Sequence, residues 1–342
     1  MRAVAALLCV SSLVVTSACA PHPVRAAIAP ADTAVAEEIK LHTATGDISG
    51  TLLHPISNIQ HPVVLIVAGS GPTDRNGNST AGVSANSYKI LAESLAAHGF
   101  ASLRYDKRGV GASSGAMKPE EKLRFDDYVA DAAAWIDTLA HDPRFARVAV
   151  IGHSEGALIA ALAAERTGTT NVAAVVSLSG AGRRANVILA EQLRAAQPPM
   201  PATTIAIADS LLAELAAGRT VPVGPPNFPP MLWLTLFRPS IQPYLISWFR
   251  YDPADVLARL ALRHANVQVV QGTTDIQVSV GDARRLAAAA GVQPVLIDGM
   301  NHVLKNAPIN RAANAATYNQ PDLPIPGALV AAITSFLRDA LK

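Results

Sequence analysis

Apolar positions along this chain fall into two rhythms. Residues 38–42 and 48–54 are strand-like runs separated by a turn containing Gly46, which predicts a hairpin. From Pro62 the rhythm changes. Residues 62–67 form a continuous apolar run of buried-strand length. A helical pattern follows over 88–98, a strand over 101–104, a helix over 125–139, a strand over 148–151, a helix over 156–166 and a strand over 172–178. Later in the chain, strands at 267–271 and 294–297 flank a helix at 281–289, and a helix near 329–341 ends the sequence. Strands alternating with helices predict an α/β fold with a parallel sheet covered on both faces.

The alternation breaks between about residues 181 and 262. That stretch carries a helical pattern over 188–215, a proline-rich run over 222–230, and the aromatic residues Trp233, Phe237, Tyr244, Trp248 and Phe249. It predicts a lid inserted between two sheet strands. The core is then expected in two parts, 36–180 and 263–342, with the aromatics packing the lid against it and some lining a pocket.

Composition narrows the picture. Half of the 342 residues are hydrophobic, only 16% are charged, and Lys plus Arg (28) nearly balance Asp plus Glu (26). With no basic run, nothing marks a nucleic-acid surface. Arg2 followed by an apolar stretch over 3–15 has the length of a signal peptide. Thr16-Ser17-Ala18-Cys19 resembles the lipobox of bacterial lipoproteins, with Thr16 where that motif usually has an aliphatic residue. Three outcomes are open: a lipoprotein anchored to the membrane through Cys19, a soluble secreted form, or an uncleaved anchor. Each makes the protein an exported one, joined to its core by an Ala/Pro-rich tether over 20–35. Cys9 and Cys19 are the only cysteines, so the domain beyond them has no disulfide, thiolate metal site or cysteine nucleophile.

The chemistry-bearing segment is Gly152-His153-Ser154-Glu155-Gly156, placed after an apolar strand and before an alanine-rich helix. That context suits a nucleophile elbow, in which two glycines let the strand turn sharply and leave Ser154 exposed. The Glu155 N–H, at a helix N-terminus, is the expected first oxyanion donor. A hydroxyl nucleophile needs a base, and only His264 and His302 follow Ser154. His264 precedes a strand and reads as a surface or packing residue. His302 follows the last core strand and is the expected base. Asp275, just after the strand at 267–271, is the expected acid. Asp298 competes for that role but is more suited to bracing the histidine loop. The loop after residue 67 holds Gly69, Ser70 and Gly71, and the Ser70 N–H is the expected second oxyanion donor; the loop lacks a phosphate-binding P-loop pattern. Asp106 and Arg108 are expected to tie loops together, and Asp252 and Asp255 to cap helices.

With these motifs, the chain resembles the α/β-hydrolase superfamily over roughly residues 36–342. It is especially similar to bacterial esterases and serine-aminopeptidase-like members with a G-S-G-P-x-D-R loop (residues 69–75), a Y-D-x-R-G-x-G-x-S loop (105–113) and G-H-S-x-G. Ala68 stands where many relatives have His. The resemblance implies an eight-stranded, mostly parallel sheet, a lid, no cofactor, and a small acyl ester as substrate. An aminopeptidase or amidase would need acidic groups at the site, for which Glu155, Glu191, Asp209 and Glu214 are candidates. A thioesterase is a third enzyme reading. A non-catalytic envelope binding module on the same fold is the reading from another class.

Overall fold

The computed structural model describes residues 34–342 apart from 57, 58, 169 and 197. The expected signal peptide, Cys19 and the tether up to residue 33 lie outside the described residues.

The strands in chain order are β1 (Ala34–Thr43), β2 (Gly46–Pro55), β3 (His61–Val67), the two-residue pair β4 (Asn78–Ser79) and β5 (Val83–Ser84), β6 (Ala101–Tyr105), β7 (Phe145–His153), β8 (Ala174–Leu178), β9 (Asn266–Gly272) and β10 (Val295–Ile297). Eight of them form one sheet in the order β1-β2-β6-β3-β7-β8-β9-β10, while β4 and β5 pair separately. The hairpin β1–β2 is antiparallel and β2 runs antiparallel to β6. From β6 onward all neighbours are parallel, for example Leu65 beside Leu103, Ile66 beside Ile151 and Val176 beside Gln268. Strand order reverses at β3: the chain leaves for β6 on one side, then returns to β7 on the other. In open parallel sheets such a switch point leaves a crevice at the carboxyl ends of the strands.

Side-chain alternation sorts the core into two layers. Val63, Leu65 and Val67 of β3 face one side with Val148 and Val150 of β7; Val64 and Ile66 face the other with Ala149 and Ile151. Helices α2 (Phe125–Ala140) and α3 (Glu155–Thr167) cover the first side, and α1 (Ser87–Ala97) covers the second, joined there by the C-terminal helix. Helix α3 is buried from Glu155 through Ala164. It is sandwiched among the sheet, α2 and another helix, with Leu158, Ile159 and Leu162 filling the wider gaps and alanines the close approaches. Its alanines are packing devices here.

Between β8 and β9 run α4 (Ala185–Arg194), α5 (Ala202–Ala216), α6 (Pro230–Leu232) continuing into a π-turn at Trp233–Phe237, α7 (Gln242–Phe249) and α8 (Pro253–Leu262). The sequence pattern over 188–215 suggested one helix; the structure has two. Pro198, Pro199 and Pro201 remove three backbone donors between them, so α4 stops at Arg194 and α5 starts after Pro201. Helix α8 lies back on α3, with Asp252 capping it through a 3.0 Å bond from the Ala254 N–H. It leads into β9, and α9 (Val280–Ala290) follows, started by a Ser279–Asp282 capping box. The short α10 (Arg311–Ala316) and α11 (Gly327–Ala340) complete the chain.

The loop after β6 is anchored by a buried pair. Arg108 donates from Nε (2.7 Å) and Nη2 (2.5 Å) to the two carboxylate oxygens of Asp131 on α2. Asp106, in the same loop, accepts from the Arg75 backbone and guanidinium at 2.8 and 3.0 Å. Removing one partner of a buried pair strands the other charge, whereas replacing both with apolar groups leaves nothing unsatisfied. Asp131→Ala is therefore expected to lower stability by about 3–5 kcal/mol in urea unfolding. The Arg108→Met/Asp131→Leu double variant is expected to lose much less, and equal losses for both would show that the pairing is irrelevant.

Candidate active site

The site begins where β7 gives way to α3 with no intervening loop. Ser154 bears the whole change of direction at φ 55° and ψ −122°, a conformation costing roughly 1–3 kcal/mol for a residue with a side chain. Two glycines make this possible. A Cβ on residue 152 would sit 2.1 Å from the Gly156 carbonyl oxygen. One on residue 156 would sit 2.4 Å from the carbonyl oxygen of Val67 at the end of β3. The Ser154 N–H is held by the Leu178 carbonyl at 3.0 Å, so the serine is fixed between neighbouring strands.

His302 and Asp275 meet across the loops that follow β10 and β9. The His302 Nδ1–H donates to Asp275 Oδ2 at 2.9 Å, with both side chains almost fully buried. Asp275 also accepts from the Gln277 and Val278 N–H groups at 2.8 and 3.0 Å and from Gln271 Nε2 at 2.9 Å. Burial alone would raise the Asp275 pKa. The adjacent imidazole and these donors outweigh it and hold the carboxyl below its ordinary value. With Nδ1 committed to the carboxylate, Nε2 of His302 is the nitrogen available to a hydroxyl. The competing residues lie elsewhere. Asp298 is exposed and accepts from Thr273 Oγ1 at 3.0 Å, and His264 is exposed at the opposite end of β9.

Ser70 and Glu155 both line the cavity that holds Ser154 and His302. Among the described residues neither backbone N–H has a hydrogen-bond acceptor. The loop bearing Ser70 lies close to the turn at Ser154, since a Cβ on Gly69 would come within 3.2 Å of the Ser154 Cβ.

A switch point between parallel strands, a serine strained at the strand–helix junction beside it, and a histidine–carboxylate pair after the last two strands occur together here. Solved structures share the overall fold over most of the chain. Est1E from Butyrivibrio proteoclasticus, in a structure with ferulic acid bound, has a TM-score of 0.54 at 17% identity, covering 86% of this chain and 96% of that one. A thermophilic esterase from Thermogutta terrifontis has a TM-score of 0.52 at 16% identity, covering 90% and 100%. The chain has the α/β-hydrolase fold. A family model described as "Serine aminopeptidase, S33" matches residues 81–216, a span that includes Ser154 but neither Asp275 nor His302. The chain is also similar to Esterase EstD of Thermotoga maritima, 25% identical over 261 residues, which is 75% of this chain and 58% of that protein. It thus spans less than two thirds of that relative's length.

The cavity of this hydrolase fold measures about 220 Å³. Ile188 and Leu189 of α4, Leu236 of the π-turn, and Leu245 and Trp248 of α7 contribute to its apolar lining. Trp248 stacks on Phe125 of α2 at 5.8 Å, while Phe237 and Phe249 are buried away from it. The aromatics therefore divide between packing and pocket, as the sequence pattern suggested.

Three neighbours of the site escaped the sequence reading: Tyr88, Lys107 and His153. The Tyr88 hydroxyl accepts from the Gly69 N–H at 3.1 Å and donates to His153 Nδ1 at 2.8 Å. The His153 Nε2–H then donates to the His302 carbonyl at 2.8 Å. This order of bonds requires a neutral imidazole. Burial, with His302 beside it, drives the His153 pKa down to about 3. Its position immediately before Ser154 was the one available signal.

His153 gives the fold an acid-side dependence. Between its unfolded pKa near 6.5 and its folded value of about 3, the unfolded chain binds a proton that the folded chain refuses. Stability therefore falls as pH drops through that window, by up to about 1.4 kcal/mol per pH unit from this group. His153→Gln is expected to remove that part of the slope in urea midpoints compared at about pH 6.5 and about pH 4.5. A slope unchanged by the substitution would show that residue 153 takes up protons equally in both states.

Proposed function

We propose that this protein hydrolyses carboxylic esters through a covalent acyl-serine intermediate. The observation that carries the reading is the buried Asp275–His302 bond opening onto the same cavity as the strained Ser154. In the reaction, the Ser154 Oγ attacks the acyl carbonyl as its proton passes to His302 Nε2. Asp275 keeps the imidazole oriented and balances its charge. The tetrahedral oxyanion is held by the N–H groups of Ser70 and Glu155. Collapse expels the alcohol, which takes the proton from His302. Water then attacks the acyl-enzyme with His302 as base, releasing the acid and restoring Ser154.

Ester is favoured over aminoacyl substrates by the charges around the cavity. A substrate's amino terminus needs an unpaired carboxylate, and the candidates are all engaged. Glu155 pairs with Lys107 at 3.1 Å, Glu191 binds Arg183, Asp209 binds Arg194 and Glu214 binds Arg219. The apolar lining supplied by α4, the π-turn and α7 suits a hydrocarbon portion of the substrate, with these helices acting as the lid. The esterase relatives point the same way.

Ser154→Ala is expected to abolish hydrolysis of a small aryl ester while leaving the unfolding free energy within a few tenths of a kcal/mol of wild type, because alanine keeps the Cβ and takes up the same strained backbone. A fluorophosphonate is expected to label the wild type on Ser154 only. Turnover retained in the variant would refute the nucleophile, and an aminoacyl anilide or a thioester cleaved faster than the aryl ester would replace the substrate class. We further propose that the enzyme is exported and lipid-anchored through Cys19. A fatty-acid label is expected on the full chain and absent after Cys19→Ala; equal labelling of both would rule the anchor out.

A further inference from the structure

Lys107 is a charged side chain hidden beside the cavity, at 1% exposure, and the acyl-transfer steps above make no use of it. It leaves β6 and extends beneath the floor of the site. Its Nζ donates to the Gly69 carbonyl oxygen and, at 3.1 Å, to Glu155 Oε2. The ammonium also stands 5.1 Å from the centre of the Tyr128 ring. Glu155 Oε1 in turn accepts from the Tyr244 hydroxyl of α7 at 2.5 Å. A buried ion pair is a poor device for stability alone, because apolar residues of similar volume commonly hold a fold as well. Its placement is more informative.

The Gly69 carbonyl belongs to the same peptide unit as the Ser70 N–H. A cation on that oxygen draws electron density through the amide and makes the N–H a stronger donor. The other side of Gly69 is fixed as well, since its own N–H donates to Tyr88. The glycine is therefore gripped at both of its backbone polar groups, and one rotation axis of the Ser70 N–H is removed. The counter-charge sits on Glu155, whose backbone carries the second donor. From this geometry we infer that Lys107 is a positioning residue of the oxyanion hole, orienting and polarising the Gly69–Ser70 peptide while its pairing with Glu155 joins the two donor segments. The inference rests on the acyl-transfer reading above.

The test removes both charges together, in Lys107→Met/Glu155→Gln, so that neither is left alone in the interior. For an aryl ester, KM is expected to stay within about threefold of wild type while kcat falls about tenfold or more. That is short of the roughly 10²–10³ lost when an oxyanion donor is removed outright. The discriminating readout is the rate ratio between the ester and its thionoester, whose sulfur is a weak hydrogen-bond acceptor. The ratio is expected to shrink in the variant, which loss of packing alone would not produce. Lys107→Gln/Glu155→Gln, which keeps a neutral donor for the Gly69 carbonyl and strands no charge, is expected to show a smaller change in the same direction and provides the measurement if the first double variant does not fold. An active wild type whose variants keep both kcat and the thiono ratio, or lose only KM, overturns this role alone. A wild type inert to the ester and to the fluorophosphonate overturns acyl transfer and this role with it.

Discussion

At residue 154 the chain passes from strand to helix within one residue, and the contacts of that junction dictate much of the surrounding design. Because positions 152 and 156 have no side chain, the start of α3 can lie against the end of β3 at backbone distance. The loop leaving β3 then has no room to go elsewhere, and Gly69 is brought against the serine. The Glu155 N–H is left without an acceptor at the cavity, because the first donors of a helix have no partner within it. Positive potential, exposed hydroxyl and converging loops are thus consequences of one steric arrangement at the centre of the sheet.

Much of this was readable in the sequence, for identifiable reasons. Buried parallel strands are continuous apolar runs, and residues 62–67 and 172–178 carry that signature with little ambiguity. The chain order Ser154, Asp275, His302 singles out a histidine because only one other follows the serine, and the structure brings His302 and Asp275 into contact. What stayed hidden depends on distance in sequence. Lys107 looks like one cation in a charged loop until β6 is placed beside β3, which puts its stem under Gly69. Tyr88 begins an ordinary amphipathic helix, and only the packing of α1 beside the β3 loop turns its hydroxyl toward His153. The interruption between α4 and α5 was visible as prolines, but their effect was masked by the continuous apolar periodicity around them.

The segment between β8 and β9 contributes shape more than charge. Its polar groups are used internally or toward the core: Arg183 reaches Asp282 of α9, Arg238 reaches Glu120, and Tyr244 reaches Glu155. These bonds fasten α4, the π-turn and α7 at several points while their apolar residues remain turned to the cavity. Tyr244 links that roof to the ion pair beneath the donor loops, so a displacement of α7 would be felt at the Glu155 carboxylate.

The sheet's outermost strands have a consequence for how copies of the protein behave in a crowded solution. β1 shows Glu37, Glu38, Lys40 and His42 to solvent, and β10 at the other border is only three residues long. A neighbouring molecule seeking to extend the ladder would meet a row of charge on one flank and too few backbone partners on the other. The molecule thereby presents a large, strongly apolar parallel sheet whose rims resist end-to-end fusion, a safeguard built from strand length and charge placement.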